Sequence, residues 1–151
     1  MPWVDDANAA LVTDLYELTM AAGYFADGHN PEATFDLFVR TLPETRNFLI
    51  ACGLDDALLY LERLRFGSEQ IDYLRSLNLF DLKFLSFLAR LEFTGEVWAI
   101  PEGGPVFAQE PLLRVTAPLI EAQLLETFLI NCIGFQTLVA SKAARVTLAC
   151  S

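Results

Sequence analysis

EVWAIPEGGPVFAQEPLLRV, residues 96–115, holds two extended runs on either side of a strong breaker. Residues 96–100 and 106–115 read as strands. The Pro101-Glu102-Gly103-Gly104-Pro105 segment between them reads as a tight turn, since glycine and proline set turn backbones that a strand does not adopt. Upstream lie three closely spaced amphipathic helices, and downstream a long apolar one. Strands and helices mixed in this way predict an α+β layer, followed by the opening of a second domain.

The three upstream helices are marked by their caps and their spacing. Asp81 can cap a helix with Phe84, Leu85, Leu88 and Leu91 inward, and Ser68 one with Ile71, Leu74 and Leu77 inward. Asp55 can cap a third, to about residue 65, with Leu58, Leu61 and Leu64 inward. Before it, residues 47–52 (NFLIAC) form a short apolar run that reads as a buried strand ended by Gly53. Residues 33–41 read as a further strand, because Phe35, Leu37 and Val39 alternate with Thr34, Asp36 and Phe38. Residues 42–44 turn between the two, and residues 28–31 (GHNP) break the chain ahead of them. Leu11, Leu15, Leu18 and Ala22 define the core face of a first helix over residues 11–24. Thr13 or Asp14 can cap it, with Glu17 placed to reach back to the cap.

Downstream, residues 118–150 read as one long helix or a broken pair. Thr116 can cap it, Pro118 suits a first turn, and Gly134 is the expected break. Ile120, Leu124, Phe128, Leu138 and Val146 are apolar and so are most of their neighbours, which predicts a helix buried nearly all round. Residues 141–150 keep the helical pattern with no glycine, proline or asparagine stop signal, so the chain reads as a fragment cut inside or just after a helix.

Charge narrows the function. Acidic residues outnumber basic ones 20 to 10, a net charge of −10. Such a surface repels polyanions at long range, so nucleic acid is not an expected partner, and any phosphate-rich substrate needs a local cationic site. Hydrophobic residues make up 54% and charged residues 20%, the balance of a packed globular chain. Cys52, Cys132 and Cys150 sit among apolar neighbours, with no CxxC and no histidine spacing. That predicts buried free thiols in a reducing cytoplasm and no metal site. Residues 1–6 lack the basic and apolar segments of a signal peptide. The uncharged stretch 127–141 is too short to span a bilayer and contains Asn131, Gln136 and Thr137, so no membrane partner is expected.

Six segments resemble the nicotinate phosphoribosyltransferases, of the type II phosphoribosyltransferase family, and they occur in that family's order. They are residues 13–25 (TDLYELTMAAGYF), 33–40 (ATFDLFVR), 48–54 (FLIACGL), 101–115 (PEGGPVFAQEPLLRV), 118–131 (PLIEAQLLETFLIN) and 135–146 (FQTLVASKAARV). The resemblance implies an amino-terminal α/β domain over residues 1–117. Residues 118–151 are then a helical lead-in to an irregular α/β barrel, truncated here. It implies a reaction that joins nicotinate to the ribose of phosphoribosyl pyrophosphate, giving nicotinate mononucleotide and pyrophosphate. ATP hydrolysis drives that reaction through a transient phosphohistidine. The full-length enzyme would then use Mg and ATP, with neither bound by this part. It would act as a cytoplasmic homodimer whose active sites are shared between subunits. The phosphohistidine, the arginine that helps to hold nicotinate and the phosphate-binding loops belong to the family's barrel. No catalytic residue is therefore expected in this part, which should be inactive alone.

Tyr16 is the one residue that the resemblance carries into the site. It matches the tyrosine of the family's TDLY motif, whose ring is implied to lie on the pyridine ring of nicotinate in the neighbouring subunit. Spacing alone leaves Tyr16 open between core and site, because it stands about 100° round from Leu15 on a helix. Lys142 and Arg145, three apart on one helix face, could present positive charge together; a solvated helix end is the simpler reading. Glu102-Gly103-Gly104 lacks the spacing and the lysine of a phosphate loop. Asp55-Asp56 reads as a helix cap, and His29, the single histidine, as an ordinary loop residue. Two alternatives stay open at this point: a related nicotinamide or quinolinate phosphoribosyltransferase, and a non-catalytic α/β binding module.

Overall fold

The computed structural model describes residues 8–42 and 44–150. The readings made for residues 1–6 and for Pro43 fall outside them. A short 3-10 turn, Ala9–Leu11, leads into α1 (Leu15–Ala26), β1 (Glu32–Phe38) and β2 (Leu49–Ile50). Three helices follow: α2 (Leu54–Arg63), α3 (Ser68–Ser76) and α4 (Leu82–Leu88). Then come β3 (Glu96–Ala99), β4 (Pro105–Val106), β5 (Pro111–Pro118), α5 (Leu119–Gln123) and α6 (Glu126–Ala149). This is the mixed helix-and-sheet layer expected from the pattern.

β5 organises the fold. It lies between β1 and β3 in a three-stranded antiparallel sheet, and Val115 faces Phe35 on one side and Val97 on the other. Leu113, Val115 and Ala117 are buried on one face, as a half-covered antiparallel strand requires. On the other face Arg114 forks onto Asp36, at 2.7 and 2.9 Å, directly across the β1–β5 ladder. The guanidinium holds the Asp36 carboxyl below its ordinary range.

The extended run expected over 106–115 is two strands. Gln109 has φ +69 and Glu110 Oε2 accepts the Phe107 N–H at 3.1 Å, so the chain turns there. Its first piece, β4, pairs with β2 instead. β2 spans two residues, shorter than expected, because side chains of α6 take over its hydrogen bonds. Ser141 Oγ accepts the Ile50 N–H at 2.8 Å, and Thr137 Oγ1 accepts the Cys52 N–H at 3.2 Å. Both hydroxyls are buried, and their small size lets the helix approach the strand.

Helix α4 begins as predicted, with Asp81 Oδ1 accepting the Lys83 N–H at 2.7 Å, and Phe84, Leu85, Leu88 and Leu91 are buried. The other caps differ. Gly67, not Ser68, is the N-cap of α3, and Gly53, not Asp55, that of α2. Glu102 Oε1 accepts the Gly53 N–H at 2.8 Å and the Asp55 N–H at 3.3 Å. A carboxylate 49 positions away in the chain thus does the work of the expected local cap. Gly53 has φ +100, and a Cβ there would stand 3.1 Å from Cys132 O. Leu58 faces solvent rather than the core; Ala57, Tyr60, Leu61 and Leu64 are the inward residues.

The long helix also departs from expectation. Thr116 lies inside β5, Pro118 is the N-cap of α5, and the break falls at Leu124 and Leu125 rather than at Gly134. A single glycine costs a helix only about 1 kcal/mol, and Gly134 sits on the exposed side. α6 buries one stripe only: Phe128, Leu129, Cys132, Ile133, Thr137 and Ser141. Ile130, Phe135, Leu138, Val139, Val146 and Leu148 are exposed on its other flank, so the helix is not covered all round. Among the described residues no helix is long and apolar enough to cross a membrane. Of the three free thiols Cys132 is buried, Cys52 half-buried and Cys150 exposed, which corrects the expectation for the last two.

Candidate functional site

The first turn of α1 meets the first turn of α6, and this junction holds the residue that the sequence singled out. The helix is phased differently from the pattern. Leu11 belongs to the preceding 3-10 turn, so α1 starts afresh at Leu15, which is 52% exposed rather than core. The buried face of α1 is Glu17, Leu18 and Ala21, continued by Phe25 against Phe84 and Phe87, whose ring centroids lie 5.7 and 5.0 Å away. Tyr16 is left outside, 46% exposed.

Glu17 does not cap its own helix. Its Oε1 accepts the Thr127 N–H at 3.1 Å and the Thr127 hydroxyl at 2.5 Å. Its other oxygen accepts the Thr13 hydroxyl. The carboxyl is fully buried, and its pKa is raised, above all by loss of water around the charged form. The Thr127 hydroxyl also lies 2.8 Å from Asp14 Oδ2. A hydroxyl has one proton to give, so it serves either carboxylate alone. With Glu17 protonated, Glu17 donates to Thr127 and Thr127 donates to Asp14, and every contact is satisfied.

Next to it, the Tyr16 hydroxyl stands beside the Glu126 carboxylate, whose influence is the main reason its pKa is pushed up to about 12. Glu126 also lines an apolar groove of about 700 Å³, with Phe35, Leu37 and Val115 of the sheet and Leu129 and Ile133 of α6. The junction is therefore an exposed aromatic ring set among Asp14, Glu17 and Glu126. Such a place can offer a flat face to a flat ring, but it repels phosphate.

The remaining candidates are dispersed. Lys142 and Arg145 are both exposed, far along α6. His29 sits in the exposed turn after α1, its ring tilted against Tyr24 at 6.4 Å. Glu102-Gly103-Gly104 forms a tight turn, with Gly103 at φ +81. Among the described residues no group of three or more His, Cys, Asp or Glu side chains could hold a metal ion. Sequence reasoning missed Glu126 and Thr127, and it gave Glu17 a local capping role. The available signal was a charged residue beside Leu18 and one turn before Ala21.

Comparison with known proteins gives this geometry its context. Residues 11–134 match the family model described as the nicotinate phosphoribosyltransferase (NAPRTase) N-terminal domain. The chain belongs to the nicotinate phosphoribosyltransferase family. A nicotinate phosphoribosyltransferase of Mycobacterium tuberculosis is 49% identical over 140 residues, 93% of this chain and 30% of the relative. One of Bacillus subtilis is 43% identical over 142 residues, 93% of this chain and 29% of that relative. The crystal structure of the human nicotinic acid phosphoribosyltransferase superposes with a TM-score of 0.82 at 38% identity, over 90% of this chain and 28% of the human one. The chain thus spans about 30% of the length of the curated relatives it matches, and it corresponds to the amino-terminal region of these enzymes.

Proposed function

We propose that this chain serves as the amino-terminal part of an enzyme that joins nicotinate to the ribose of phosphoribosyl pyrophosphate. Nicotinate mononucleotide and pyrophosphate are the products, and Mg-ATP is hydrolysed to drive the reaction. The match over residues 11–134 carries this reading. Within it, Tyr16 supplies the flat face on which the pyridine ring of nicotinate stacks. Its half-exposed ring on a fixed helix turn supports that role, since a stacked aromatic contributes about 1 kcal/mol beyond its buried area.

The acidic surroundings of Tyr16 divide the labour. Phosphate groups and their Mg ions belong with a barrel that residues 118–151 lead into, and this chain contributes no catalytic group of its own. The uncovered flank of α6, from Ile130 to Leu148, is a surface for that barrel to cover. In a cytoplasmic homodimer, Tyr16 of one subunit would serve nicotinate bound in the barrel of the other.

The test uses chimeras in which this chain replaces the matching segment of the Mycobacterium tuberculosis relative. One chimera carries Tyr16→Ala and a second lacks the barrel histidine. In mixed dimers one site combines an intact Tyr16 with an intact barrel. Turnover below the nicotinate KM is expected to exceed the sum of the two parents. Verified mixed dimers with no such gain would exclude a shared site.

A further inference from the structure

Glu17 is a buried carboxyl with no partner of opposite charge, the setting in which burial favours the neutral form. It has no exposed surface, and the groups that set its acidity are Thr127, Thr13 and Glu126, none of them a cation. It caps α6 from another helix, because Leu125 stands at that helix's N-cap and has no side-chain oxygen to offer. Capping alone would need only a serine or asparagine at position 125. A carboxyl group reaching across from α1 does something that a local cap cannot: it fixes how α1 sits against α6.

That fixing acts at the right place. Glu17 grips Thr127, and its neighbour Tyr16 stands beside Glu126, so the hold on Thr127 is one residue away from the ring on α1. A slip of one residue in the phase of α1 would swing Tyr16 by about 100°. We propose that Glu17 is a positioning residue for Tyr16, its buried carboxyl locking the first turns of α1 and α6 together so that the ring keeps one presentation toward nicotinate. This inference rests on the reading of Tyr16 as a stacking face.

The chimera of this chain with the mycobacterial relative provides the test. Glu17→Leu is expected to raise the nicotinate KM about tenfold with kcat largely kept, as loss of an oriented binding face requires. Glu17→Gln retains an acceptor for the Thr127 N–H and should stay near the parent. In a Tyr16→Ala background, Glu17→Leu should cost nothing more, because the ring that it positions is gone. An unchanged KM in Glu17→Leu, beside a raised KM in Tyr16→Ala, would overturn the positioning role alone. So would a double variant with fully additive losses. An unchanged KM in Tyr16→Ala itself would remove the stacking reading, and the positioning role with it. Should Glu17→Leu not fold, Thr127→Val carries the same test from the other side of the contact, with the same expected rise in KM and the same contradicting result.

Discussion

The α2–α4 layer and the α1–α6 junction use similar amphipathic helices for different ends. In the first, pattern and burial agree: Leu61, Leu74, Phe84 and Leu88 are inward, and Asp81 caps where it stands. In the second they disagree. Leu15 and Tyr16 are outside, and a glutamate is inside. A helix that only had to complete the core would bury Leu15 and expose Glu17. The inversion points to a demand other than stability, and it coincides with Tyr16, for which we propose a stacking role.

Substitutions can widen or close that contrast. Phe84 is buried among Phe25, Phe80 and Phe87, so Phe84→Ala should lose about 3–5 kcal/mol in chemical denaturation while the folded chimera keeps its nicotinate KM. A raised KM in folded Phe84→Ala would erase the distinction between the two regions. Gly53→Ala should cost about 1–3 kcal/mol, since φ +100 strains any Cβ and Cys132 O stands 3.1 Å away; an unchanged melting temperature would mean that the turn relaxes freely. Tyr60 stacks on Phe128, and its hydroxyl is buried with no partner among the described residues. Tyr60→Phe should therefore leave stability unchanged or raise it by about 1 kcal/mol, and a clear loss would reveal a partner for the hydroxyl.

The smallest effect is one of pH. The Glu17 pKa is raised from 4.5, so the folded chain holds that proton more tightly than the unfolded chain does. Its contribution to stability then falls as pH rises upward from 4.5 through the folded-state value. Asp36 has the opposite sign: Arg114 lowers its pKa, and its contribution is lost as pH falls below 3.8. Denaturation profiles across pH should lose the first trend in Glu17→Gln and the second in Asp36→Asn. A Glu17→Gln profile parallel to the parent's would mean that Glu17 carries the same charge in both states.

Much of the fold was legible because it is local. Asp81 with the stripe that follows it needed nothing beyond residues 81–91, and the mixed order of strands and helices followed from the turn at 101–105. What stayed hidden depends on contacts between distant segments. Glu102 caps α2, Ser141 and Thr137 complete β2, and neither role leaves a mark in the nearby sequence. Glu17 was obscured for a different reason. A plausible local role, reaching back to the start of its own helix, explained it fully until Thr127 was seen beside it. Tyr16 was singled out by its motif, and spacing alone could not separate core from surface at that position.

The most direct test pairs two readings on one variant, Tyr16→Ala in the chimera with the mycobacterial relative. The expected result is a loss of about 1–2 kcal/mol in kcat/KM for nicotinate, tenfold or somewhat more, with the melting temperature little changed. A protein that melts far lower yet keeps its nicotinate KM when folded would return Tyr16 to the core and contradict its role as a substrate face.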